Sequence, residues 1–126
     1  MDKFTVARSQ LITAVKMHFS EEDPVSVHTL AGAAQEILET LSRKKGIVPF
    51  FDHVLRAHPD KNTRKMRDII NEYRNAFKHA NEPDDEVLKS FEETHNDHLL
   101  YIAVWDYANY NGKMPVDFHV LLSWFH

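Results

Sequence analysis

The sequence predicts an all-α fold, a compact bundle of five to six helices in a single domain spanning residues 1–126. Three observations predict it. Apolar residues recur at steps of three and four along almost the whole chain, the spacing that puts them on one helix face. No strand pattern of sustained alternation is present, and only the short stretch Val87 to Phe91 reads as extended. The helical segments are joined by short links, as expected of antiparallel neighbours in a bundle.

The first helix follows from Phe4, Ala7, Leu11, Ala14, Val15 and the run Met17 to Phe19. It stops at Ser20 to Pro24, because proline disfavours helix in the residue before it. A second helix starts at about Val25, with Val27, Leu30, Ala31, Ala34, Ile37, Leu38 and Leu41 as its buried stripe. The small residues Ala31 to Ala34 let another helix approach closely. Arg43, Lys44 and Lys45 suit the negative end of the helix dipole, and Gly46 suits the position just past it. Pro49 opens a short third helix with Phe50, Phe51, Val54 and Leu55, closed by His58-Pro59. Asn62 or Thr63 caps a fourth, whose stripe is Met66, Ile69, Ile70, Tyr73 and Phe77. Thr94 with Asp97 reads as a capping box opening a fifth helix, which runs to about Asn111-Gly112. Pro115 starts a last short helix ending in Trp124 and Phe125.

Composition narrows the chemistry. The chain has 0 Cys, which excludes a disulfide scaffold, a thiolate metal site and a cysteine nucleophile. It has 9 His, so imidazole chemistry stays open. No apolar run approaches the roughly 20 residues that span a bilayer, and no signal-peptide pattern is visible at the N-terminus. A cytoplasmic location without membrane contact is the expectation. The net charge is −4 but unevenly spread. Residues 56 to 78 hold seven basic side chains (Arg56, Lys61, Arg64, Lys65, Arg67, Arg74, Lys78) against Asp60, Asp68 and Glu72. Residues 79 to 106 hold eight acids against Lys89 alone. Such asymmetry fits a polar partner for the basic stretch, or equally a solvated helix face with countercharges on its neighbours.

The basic stretch ends in Tyr73-Arg74-Asn75-Ala76-Phe77-Lys78-His79-Ala80. An Arg followed by a polar residue, three others and a His resembles the signature of the HEPN superfamily (higher eukaryotes and prokaryotes nucleotide-binding domain). Arg74, Asn75 and His79 match its three positions. The resemblance covers about eight residues, with the helical architecture beside it. It implies a small helical domain, often dimeric. Many such domains are metal-independent endoribonucleases of toxin–antitoxin, abortive-infection and CRISPR-linked systems, and others bind nucleotides or partners without catalysis.

The residue types suit that chemistry. Cleaving RNA without a metal needs a base for the ribose 2′-OH, an acid for the leaving oxygen and a cation for the phosphate. His79 titrates near neutral pH and can serve as acid or base. Arg74 offers a permanent planar charge to phosphate, and Asn75 can orient imidazole or substrate. Lys78 and Arg67 can add phosphate contacts. No metal and no cofactor are required. Asn75 and His79 share a helix face, whereas Arg74 and His79 lie roughly 140° apart around the axis. Pairing two such helices across a two-fold axis completes a site, so a homodimer through the fourth predicted helix is expected. The alternative is a non-catalytic helical protein-interaction module, with the acidic surface between residues 82 and 97 facing a basic protein. In that case Arg74 pairs with acidic neighbours and His79 caps the end of its helix.

The other histidines carry less. His95 and His98, with Glu92 one turn earlier, have the spacing of a helical metal site but read as surface residues. His28 reads as a packing or capping residue. The aromatic series Tyr101, Trp105, Tyr107 and Tyr110, then Trp124 and Phe125, reads as core and interface rather than as a base-stacking surface.

Overall fold

A computed structural model describes residues 1–57, 64, 65, 67, 68, 71 and 93–125. The first two helices are α1 (Lys3–Phe19) and α2 (Pro24–Lys44), joined by a tight turn. They are followed by α3 (Phe50–Ala57), α4 (Glu93–Asn111) and α5 (Val116–Phe125). Arg64, Lys65, Arg67, Asp68 and Asn71 are also helical, and no strand occurs among the described residues. The protein is all-α, as its hydrophobic spacing predicts.

Helix α2 is central, packing against α1 on one side and α4 on the other. Ala7, Leu11, Ala14 and Val15 of α1 face Val27, Ala31, Ala34 and Leu38 of α2, all of them at most 1% exposed. From α4 come Leu99, Leu100, Ile102, Ala103, Val104 and Tyr107, and α5 closes the core with Phe118 and Leu121. Side chains of this kind each contribute about 1.5–3 kcal/mol on full burial. The small residues at α1–α2 and α2–α4 contacts bring the backbones close. Phe4, at the start of α1, stacks on Tyr107 at 5.3 Å, and Tyr107 meets Phe118 edge-on at 5.2 Å.

The caps explain where the helices begin and end. The Asp2 carboxylate accepts the Thr5 N–H at 2.8 Å, and Asp23 accepts the Val25 N–H ahead of a helix whose first residue is Pro24. Gly46, at φ 74, closes α2: its N–H donates to Arg43 and that of Ile47 to Ser42 at 2.8 Å. The end of α1 has the same pair of bonds, Glu21 N–H to His18 and Glu22 N–H to Met17 at 2.9 Å. There the left-handed position is held by Glu21, at φ 53. A side chain in that conformation costs about 1 kcal/mol. Glu21→Gly is therefore expected to raise folding stability by about 0.5–1 kcal/mol, part of which is offset by the freer unfolded chain. An unchanged midpoint in urea unfolding would show that the turn holds no strain.

One local expectation is corrected. Helix α4 already includes Glu93, so Thr94 lies inside the helix rather than at its cap. Asp97 does not close a capping box. Its carboxylate stands 2.6 Å from His18 Nε2 at the end of α1, and that tertiary bond takes the place of the local one. The expected extended stretch at Val87 to Phe91 and the close of the third helix at His58-Pro59 lie outside the described residues.

Candidate functional site

Of the residues expected to carry chemistry, Arg74, Asn75, Lys78 and His79 lie outside the described residues. Arg67 is described, and its surroundings form a buried polar junction where α2, α3, α4 and the basic stretch meet.

The junction is built on Gln35 and Glu39, one turn apart on α2, and Asp106 on α4. All three are nearly inaccessible to solvent, at 4%, 7% and 1% exposure. The Gln35 amide donates to both carboxylates, to Glu39 Oε2 at 2.9 Å and to Asp106 Oδ2 at 3.3 Å. The other Asp106 oxygen accepts the backbone N–H of Phe50 at 2.9 Å, an otherwise free donor at the start of α3. Glu39 Oε1 receives Arg43 at 2.7 Å and Arg67 at 2.6 Å. Arg43 also grips both oxygens of Asp52 on α3, at 2.8 and 2.9 Å. The Arg67 guanidinium stands 5.1 Å from the centre of the Phe51 ring, within cation–π range.

Arg67, expected to contact phosphate, thus has its charge engaged by a buried carboxylate. As placed, it ties the basic stretch to α2. Other cations of that stretch are differently disposed. Arg56, Arg64 and Lys65 are exposed and form no ion pair among the described residues.

Burial pushes the Asp106 carboxyl up from 3.8 to about 6. The Phe50 N–H and the Gln35 amide oppose the rise, the Glu39 charge adds to it, and Arg43 opposes it from further away. The consequence for folding has a definite sign. Above about pH 6 the group is charged in both states, and the folded protein bears the whole cost of burying it. Below about pH 4 it is neutral in both states and that cost is gone. A rise from 3.8 to about 6 corresponds to roughly 3 kcal/mol. The stability of the native chain relative to Asp106→Asn is expected to fall by about 2–3 kcal/mol between pH 4 and pH 7. Parallel pH profiles of the two proteins in urea unfolding would exclude a buried, titrating Asp106.

The histidines fall into distinct settings. His28 is fully buried, with Nδ1 2.9 Å from Asn96 Oδ1. The Asn96 amide N–H donates to the Pro24 carbonyl at 2.9 Å, so its oxygen faces His28 and the proton sits on His28 Nδ1. His28 is therefore a pin between the start of α2 and the start of α4. His18 pins the end of α1 to Asp97. His95 is half-buried and His98 exposed, and no group of three His, Asp or Glu among the described residues is placed to hold a metal. Glu92 lies outside the described residues. Of the aromatic series, Tyr107 is buried, and Tyr101 and Trp105 are half-buried against Phe50 at 6.0 and 5.5 Å.

Sequence reasoning missed the junction. The signals were present: Asp106 interrupts the apolar run Ile102 to Tyr107, and Gln35 and Glu39 sit four apart on the buried side of α2. No helix among the described residues is long and apolar enough to cross a membrane. No family model, curated protein or solved structure matches this chain.

Proposed function

We propose that the protein acts on RNA, as a metal-independent endoribonuclease or RNA- and nucleotide-binding domain of HEPN-like type. Arg74 binds phosphate, His79 does the acid–base work and Asn75 orients. The observation that carries the reading is the spacing Arg74-Asn75-x3-His79 at the end of a basic stretch in an all-helical chain. The exposed cations Arg56, Arg64 and Lys65, which have no ion pair among the described residues, support it, since a phosphate backbone is attracted by positive charge before any specific contact. Lys78 is the further phosphate ligand in this reading. Arg67, engaged by Glu39, is a positioning residue that holds the basic stretch against α2.

On the helix that their spacing predicts, Arg74 and His79 stand roughly 140° apart, so in this reading the active form is a homodimer in which two copies complete one site. A role in a toxin–antitoxin or other defence system, in the cytoplasm, fits such an enzyme. The test is turnover of single-stranded RNA in the presence of a metal chelator, native chain against His79→Ala. A protein-interaction module without catalysis, the alternative, gives no turnover in either. In that module, Arg74→Ala and His79→Ala each lower stability by about 1 kcal/mol, because the two side chains are then structural.

A further inference from the structure

We propose that a cleft between the first turns of α1 and the α4–α5 connection is a binding site for a small organic anion, a flat apolar body carrying one phosphate or carboxylate group. The cleft has a volume of about 460 Å³, inside the range of roughly 300–1,000 Å³ typical of small-molecule sites. Its described lining shares no residue with the Glu39 junction.

Its lining combines two chemistries. Phe4, Tyr107 and Met114 are its apolar part. The two rings of this part are held by neighbouring aromatic groups. Phe4 stacks on Tyr107 and leans on Tyr110, both at 5.3 Å, and Tyr107 is braced by Phe118. Such a wall keeps its shape when empty, which lowers the ordering cost of binding. The lining also carries Arg8 and Lys113. Both are exposed, and neither side chain has an ion pair among the described residues. No carboxylate lines the cleft among the described residues, although the chain has 19 acidic against 15 basic side chains. The described lining is therefore positive on a negatively charged protein, and an anion entering it meets two cations that no described carboxylate pairs.

Local structure delivers Lys113 to this position. Gly112 at φ 76 turns the chain out of α4, and the Asn111 amide donates to the Lys113 carbonyl at 2.9 Å, fixing the turn. Arg8 projects from the second turn of α1, one helical turn after Phe4. A planar guanidinium and an ammonium beside an aromatic wall recognise an oxyanion and a ring together. A phosphate alone satisfies only the cations, and a neutral ring only the wall.

Phenyl phosphate is the probe, with inorganic phosphate and phenol as its two halves, titrated into the isotope-labelled chain and read by amide NMR shifts. Saturable shifts at Thr5, Arg8, Asn111 and Lys113 are expected with phenyl phosphate, at an affinity at least about tenfold above that of either half. The double variant Arg8→Ala, Lys113→Ala should weaken phenyl phosphate about tenfold or more and leave the phenol shifts unchanged. Both side chains are exposed, so an unchanged amide spectrum elsewhere will confirm that the variant folds. The proposal is overturned by the absence of saturable shifts at the cleft. Equal affinity for inorganic phosphate overturns it too, as does indifference of phenyl phosphate binding to the double variant.

Discussion

Glu39→Ala is expected to lower folding stability by about 2–3 kcal/mol, a large share of the margin of a domain this size. The Glu39 carboxylate is 7% exposed and receives Arg43, Arg67 and the Gln35 amide. Removing it leaves Arg43 and Arg67 with only Asp52 among the described carboxylates, at 2.8 and 3.8 Å, and leaves part of the Gln35 amide unsatisfied in the core. Breaking a fully buried pair costs about 3–5 kcal/mol, but Arg43 and Arg67 are 46% and 30% exposed and recover some hydration. Loss of the Glu39 charge also eases the burial of Asp106, which trims the cost further near neutral pH. Arg43→Ala, by contrast, should cost under about 1 kcal/mol, since Arg67 still neutralises Glu39. Urea unfolding compares the three proteins. A Glu39→Ala midpoint matching that of the native chain would mean that the junction does not hold α2, α3 and the basic stretch together.

Local signals made much of the fold legible. Asp23-Pro24 and Gly46 bracket α2, and Val27, Ala31, Ala34 and Leu38 were readable as its buried stripe because they repeat at helical spacing. What the stripe hid is that Gln35 and Glu39 are buried beside them. Their burial depends on Asp106, 71 positions away, and on Arg67, 28 positions away, and no local pattern announces a partner at such a distance. Asp97 fails as a capping residue for the same reason, having a partner 79 positions back in His18. The aromatic residues were readable as packing groups from their apolar neighbours. The cleft at Phe4 and Lys113 was not, since it arises only when the two ends of the chain's described part meet. The Arg74, Asn75 and His79 site was legible as a motif alone, because its residue types and spacing suggest a chemistry without reference to any contact.

The second large effect is catalytic. His79→Ala is expected to reduce RNA cleavage by about 10²–10⁴-fold, the usual range for a positioned acid–base group. Arg74→Ala should reduce it by about 10²–10³-fold, through lost stabilisation of phosphate charge. In the proposed reading neither change should move stability by more than about 0.5 kcal/mol, since catalytic side chains are rarely optimised for folding. Arg67→Ala behaves differently in this scheme. It destabilises the protein through Glu39 and lowers activity only as far as the basic stretch loses its anchor.

Cleavage of a labelled single-stranded RNA by the purified chain, in chelator, with the native protein and His79→Ala side by side, is the most direct measurement. Turnover by the native chain that falls by about 10² or more in His79→Ala, with both proteins equally stable, is the expected result. Equal turnover in the two proteins, or none in the native chain, would contradict an RNA-cleaving site at Arg74, Asn75 and His79.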